Sequence, residues 1–230
     1  MNLTKTDVLG ISLFLILGSC VLQAKASPFV EVGTSEFEII NPSGKIHMAL
    51  VDCGIKANII RELVKRDCRI SFFPENASAQ EVLDAAPDGI LFSNGPGDPG
   101  VLGKQIEMIK QLIGKIPVFG ICLGHQLISQ ALGAKTYKMK FGHHGLNHPV
   151  RDMKTGKVFV TSQNHGFAVD ATTLPEGVTE RFINANDKSQ EGIECEKLSI
   201  LTAQFHPEAS PGPVDSSWIF SDFVSIATRR

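Results

Sequence analysis

The sequence predicts an α/β protein with a mostly parallel central sheet, helices on both faces and an antiparallel β extension. Three observations carry this. Between Ile46 and Leu132, short apolar runs alternate with amphipathic stretches, the rhythm of strand–helix–strand units. Polar, glycine-rich loops follow the apolar runs. After Lys135 the helical periodicity stops and short β-like runs take over.

Ile46–Asp52 (IHMALVD) opens the alternation as a strand. Lys56–Arg66 follows as an amphipathic helix with Ile59, Ile60, Leu63 and Val64 on one face. Arg69–Phe73 is a second strand. Ser78–Ala86 is a helix opened by the capping box Ser78-x-x-Glu81. Gly89–Phe92 is the third strand, Gly103–Ile113 a helix, Pro117–Phe119 the fourth strand and His125–Leu132 a helix. The later β runs are Lys135–Met139, Lys157–Thr161, Val178–Asn184, Ser189–Glu194 and Ser199–Gln204, and Ser216–Thr228 is a closing helix.

A chain of 230 residues can bury a sizeable core. A net charge of −2 without a basic stripe gives no sign of nucleic-acid binding. Five widely spaced cysteines without a CxxC pair argue against a disulfide framework or a zinc ribbon. Reduced thiols and a cytoplasmic location follow, with Cys53, Cys68 and Cys195 packing in or near strands. The N-terminus pulls the other way. Val8–Leu22 is strongly apolar and Ala24-Lys25-Ala26 is an A-x-A pattern, as in a secretory signal. Leu17-Gly18-Ser19-Cys20 loosely resembles a lipoprotein box, the only context in which Cys20 would matter. The single Lys5 and the adjacent Asp7 weaken the export reading, and the run is short for a membrane span. Residues 1–27 are therefore an apolar segment, signal-like or a remnant. Residues 28–45 are a linker, and 46–230 the domain.

Ligands of open α/β sheets bind beyond the carboxyl ends of the strands. Four loops are candidates there: Asn94–Gly100, Gly120–Gly124, Gln163–Phe167 and Phe205–Pro211. In the second, Cys122 lies between glycines on a strand–turn–helix corner, the layout of a nucleophile elbow. Its place at a helix N-terminus favours a thiolate. A buried structural cysteine is the bland alternative. In the fourth loop, His206-Pro207-Glu208 supplies a base with an acid in reach. Cys122, His206 and Glu208 thus make a nucleophile, a base and an orienter.

GICLGHQ around Cys122, FHPE at Phe205–Glu208 and NGPGDP at Asn94–Pro99 together resemble the signature of class I (triad-type) glutamine amidotransferases, on a flavodoxin-like sheet. Lys138–His148 (KMKFGHHGLNH), Ser162–Val169 (SQNHGFAV) and His206–Pro213 (HPEASPGP) narrow the likeness to the glutaminase domain of carbamoyl-phosphate synthetase small chains. It runs from about Phe29 to about Ala227.

The resemblance implies that Cys122 attacks the side-chain amide of L-glutamine, that His206, oriented by Glu208, protonates the leaving ammonia, and that water hydrolyses the thioester. It assigns the oxyanion donors to the backbone N–H groups of Gly95 and Leu123. It places Gly95, Gly97, Leu123, Gln126, Asn164, Gly166 and Phe167 around the glutamine. It also implies an ATP-using large chain as partner. This chain itself carries no Walker-type loop, so no cofactor is expected in it. Nucleic acid is not expected as a partner, nor a membrane unless the N-terminal segment is an anchor. His143, His144 and His148 form an HHxxxH cluster without a convincing companion ligand, so a structural or interface role is expected there and no metal. Family small chains normally carry an N-terminal domain that contacts the large chain and the glutamine pocket, and only residues 1–27 precede the matching part here. A secreted γ-glutamyl hydrolase and a non-catalytic partner-binding subunit are the rival readings.

Overall fold

The computed structural model describes residue 34 and residues 36–229. The apolar segment 1–27, with Cys20 and the signal-like pattern, lies outside the described residues.

The parallel half is built on β2 (Ile46–Asp52), β3 (Cys68–Pro74), β4 (Gly89–Phe92), β5 (Val118–Ile121) and β10 (Ile200–Ala203). β3-β2-β4-β5-β10 pair in that order, all parallel. β4, β5 and β10 are wholly buried, as expected where helices cover both faces. β2 shows how the layers form. Its Ala49 and Val51 face one apolar cluster, with Met108, Ile109 and Leu112 of α3 (Gly103–Leu112) and Leu127 of α4 (Leu123–Ala131). Its Met48 and Leu50 face the other, with Ile59 and Leu63 of α1 (Ala57–Val64) and Phe220 and Phe223 of α5 (Ile219–Ala227). The Ser78 capping box is present at α2 (Ala79–Asp84). Ser78 Oγ accepts from the Glu81 amide at 3.2 Å, and the Ser78 amide donates to the Glu81 carboxylate at 2.7 Å.

Antiparallel strands continue the same sheet as β10-β9-β8-β6-β7. They are β9 (Gln190–Cys195), β8 (Thr179–Asn184), β6 (Thr136–Asp152) and β7 (Val158–Val169). The sheet is thus parallel at its centre and antiparallel over its extension.

Three expectations need correction. Residues 28–45 are not all linker: β1 (Glu38–Ile40) pairs antiparallel with β3, because Ile39 and Ile40 continue the edge that β3 leaves open. The short run at Lys135–Met139 belongs to a 17-residue strand. Register shifts between Lys138 and His143 and between Gly145 and His148 break its alternation, which hides it from a period-2 reading. Gln163–Phe167 is not a loop but the middle of β7. No helix among the described residues is long and apolar enough to cross a membrane.

Candidate active site

β5 runs straight into α4 through Cys122, whose backbone takes φ 54° and ψ −101°. Such a conformation costs a non-glycine residue about 1–3 kcal/mol and persists only when the surroundings impose it. Here they do. The Cys122 amide donates to the Ala203 carbonyl at 2.8 Å and the Gly124 amide to Ser93 at 3.2 Å. A side chain at Gly124 would sit 2.1 Å from the Phe92 carbonyl oxygen, so the helix can dock only with glycine there. Leu123 is the first helical residue, so its N–H has no intrahelical acceptor.

The Gly95 loop is pinned over the elbow by its neighbours. Ser93 Oγ accepts from the Cys53 amide at 2.9 Å. Asn94 takes the Lys56 amide on its oxygen at 3.0 Å and gives its own N–H to the Gly54 carbonyl at 3.1 Å. Any Cβ on Gly95 would fall 1.8 Å from the Cys53 oxygen. The loop therefore lies main chain against main chain.

After β10, His206 is held by its amide on the Ser162 carbonyl of β7 at 2.8 Å. Its Nδ1–H donates to Glu208 Oε1 at 2.7 Å, with both residues buried. This fixes the tautomer and leaves Nε2 for Cys122. Burial alone would lower the His206 pKa, but the Cys122 sulfur and then Glu208 outweigh it and raise it to about 10. Burial pushes the Glu208 carboxyl up, and His206 and Lys56 more than reverse this, leaving it below its ordinary value. The site is thus arranged to keep an imidazolium beside the sulfur and a carboxylate behind it. By contrast, burial pushes Cys53 to about 12 and Cys68 to about 11, making both inert thiols.

A cleft of about 620 Å³ opens over the sulfur. Of the residues expected around a ligand, Cys122, His206, Gly95 and Asn164 line it, with Glu208 behind His206. Gly97, Gln126, Gly166, Phe167 and the Leu123 side chain do not. Gln126 is 3% exposed, and its amide nitrogen donates to Phe167 O and Gln204 Oε1, both at 2.9 Å. It ties α4 to β7 behind the cleft wall. Asn164 is exposed and bonded to His144 Nδ1 at 2.8 Å.

Two residues at the centre were missed in the sequence. Lys56 Nζ lies 3.0 Å from Glu208 Oε1 and donates to the Ala209 carbonyl at 2.7 Å. Asn58 adds a bond to the Glu208 carbonyl. Gln204 Nε2 points at Cys122 Sγ from 3.7 Å. Lys56 counted only as the start of a helix and Gln204 only as the end of a strand. Nothing in their own positions marks either. Of the HHxxxH histidines, His144 turns away to Asn164, while His143 turns inward to His165 with the His148 ring 4.9 Å from its own.

A cysteine on a strand–helix elbow, faced by a His–Glu pair from the next parallel strand, is the architecture of thiol-nucleophile α/β enzymes. The chain belongs to the glutamine amidotransferase class-I family, whose family model matches residues 49–226. It is 50% identical over 207 residues to the carbamoyl phosphate synthase small chain of Lactococcus lactis subsp. lactis, covering 89% of this chain and 58% of that protein. It is 52% identical over 186 residues to the small chain from Methanocaldococcus jannaschii, covering 81% and 52%. The chain thus spans about half the length of the curated relatives it matches. In fold it is similar to a glutamine amidotransferase structure from Thermotoga maritima, with TM-score 0.58 and 16% identity over 80% of this chain and 90% of that one.

Proposed function

We propose that this chain hydrolyses L-glutamine to glutamate and ammonia, and that the ammonia feeds carbamoyl phosphate synthesis on a large-chain partner. The observation that carries the reading is the buried line Glu208–His206–Cys122, ending at a cleft walled by glycine main chain. The Cys122 thiolate adds to the side-chain amide carbon. The oxyanion that forms lies between the amides of Gly95 and Leu123. His206 delivers its proton to the amide nitrogen, ammonia leaves and a γ-glutamyl thioester remains. Water, giving its proton back to His206, adds to the thioester and releases glutamate and the thiolate. Glu208 stays ionised throughout and holds the imidazolium.

Glycine main chain suits a small zwitterion, and Asn164 and Lys56 supply polar groups at the cleft. The ATP-dependent steps belong to the partner. A reducing compartment such as the cytoplasm fits the free thiols of Cys53, Cys68, Cys122 and Cys195.

The test is glutamate release by the purified chain, alone and with a carbamoyl-phosphate synthetase large chain. Release that rises with the large chain, together with carbamoyl phosphate, is expected. Cys122→Ser should lower release by roughly a thousandfold or more. Release that survives this change would overturn the nucleophile assignment. Folded protein that releases nothing in either setting would overturn the reading.

A further inference from the structure

Behind the cleft wall, β6, β7 and β9 bring His143, His165 and Glu191 together, 6%, 5% and 0% exposed. The bulge before His143 turns it inward, directly opposite His165 in the β6–β7 register. Each imidazole has its outer nitrogen committed as a donor. His143 Nε2–H goes to the Asp187 carboxylate at 2.8 Å, and His165 Nδ1–H to the Phe167 carbonyl at 2.8 Å. The inner nitrogens, His143 Nδ1 and His165 Nε2, lie 3.2 Å apart. Glu191 Oε1 lies 3.2 Å from the first, and Gln163 Oε1 lies 3.0 Å from the second. The Gln163 amide is held that way round by its N–H on Thr161 Oγ1 at 3.1 Å. Glu191 Oε2 is fully buried without a hydrogen-bond partner among the described residues. Asn184 Nδ2 donates to Glu191 Oε1 at 3.3 Å. The ligand atoms of the three side chains all lie within 4.8 Å of one another, so one cation can bridge them.

We propose that His143, His165 and Glu191 hold a divalent d-block cation, zinc foremost, with Gln163 Oε1 or a water as the fourth ligand. Ligands about 2.0–2.1 Å from zinc at tetrahedral angles lie roughly 3.3 Å from one another, close to the spacings here. Two imidazoles and a carboxylate suit zinc rather than calcium or magnesium. The outer nitrogens on a carboxylate and a backbone carbonyl are the supports that zinc-ligating histidines use. The burial makes this a structural ion, tying three strands together behind the wall that carries Gln163 and Asn164. The site does not depend on the glutaminase reading. A proton on His143 is the rival occupant.

The experiment uses the full chain carrying Cys122→Ser, which removes the Cys122 thiol beside His206 as a competing zinc ligand. Chelator-treated protein is titrated with zinc chloride by calorimetry, and bound metal is counted by elemental analysis. One equivalent is expected, with affinity reduced roughly tenfold or more in Glu191→Gln and His143→Gln and unchanged in His144→Gln. Cobalt(II) loaded in place of zinc should give the intense visible bands of a four-coordinate site, a readout that needs no further variant to fold. No stoichiometric zinc would overturn the proposal in favour of the proton. Binding that survives both ligand substitutions would place the ion elsewhere and overturn it equally.

Discussion

The two halves of the sheet are held together by different chemistry. In the parallel half, β2, β4 and β5 sit between two apolar clusters, and the helices cover both faces. In the antiparallel half, ions and amides share the buried positions with apolar side chains such as Val150, Phe182 and Ile193. Arg181 grips Asp152 with two bonds at 2.8 and 3.1 Å and reaches Glu194 at 3.1 Å. Asn184, Gln190 and Glu191 are buried too. The proposed nucleophile and base lie at the join: Cys122 just past β5, His206 just past β10. A packed apolar frame fixes the backbone geometry of the elbow. A polar frame lets charges be placed beside it, at the cost of desolvating them.

The largest expected effect breaks the apolar half. Gly124→Ala sets a methyl carbon 2.1 Å from the Phe92 carbonyl oxygen, a main-chain atom that cannot swing aside. More than about 4 kcal/mol should be lost. The variant should then yield no folded, soluble protein, as read by expression and circular dichroism. A folded Gly124→Ala would mean that the elbow is looser than its φ and ψ imply.

Arg181→Met breaks the other half. It leaves Asp152, 2% exposed, without its cation, and should cost about 3–5 kcal/mol at neutral pH. Burial raises the Asp152 pKa, but Arg181 with the Lys154 amide and Thr155 brings it below 3.8. A depressed carboxylate contributes stability above its unfolded pKa and loses it as pH falls through the folded value. The wild-type and Arg181→Met denaturation curves should therefore converge below about pH 4. A deficit unchanged by acid would show that Arg181 acts by packing rather than by charge.

Glu208→Gln tests the join. The glutamine can still accept from His206 Nδ1 but carries no charge. Turnover should fall roughly a hundredfold. His206 is held at about 10 partly by Glu208. Its charged form is complete below its ordinary value and is lost as pH rises through the raised one. Without the carboxylate, the alkaline loss of glutamate release should begin at lower pH than in wild type. An alkaline limb that does not move would make Glu208 a spacer rather than a charge.

The contrast also explains what the sequence could disclose. The parallel half was legible strand by strand, because strands buried on both faces are apolar throughout and end in glycine-rich corners. Cys122, His206 and Glu208 stood on those corners. In the antiparallel half, part of the burial rests on hydrogen bonds, which leave no trace in hydropathy. Gln163–Phe167, with Gln163, Asn164, His165 and Gly166, is polar enough to pass for a loop, yet lies in a strand. Glu191 is wholly buried and gives no signal, because its partner His143 comes from β6, distant in the chain. Lys56 was hidden for the same reason: its partner Glu208 is brought to it only by the fold.

Lys56 yields the smallest and most discriminating effect. It stands at the N-terminus of α1, in the apolar half, and clamps the loop that carries His206 through Glu208 Oε1 and the Ala209 carbonyl. Its side chain is 31% exposed, so the ion pair is partly screened, and Lys56→Met should cost only about 1 kcal/mol of stability. If the clamp works through Glu208, turnover should fall several-fold and the alkaline limb should move in the same direction as in Glu208→Gln, by less. The double variant should then be scarcely worse than Glu208→Gln alone, since groups in one network are not additive. Additive losses would mean that Lys56 acts on the ligand in the cleft and not on Glu208. The two halves would then be joined at His206 by the Glu208 carboxylate without help from α1.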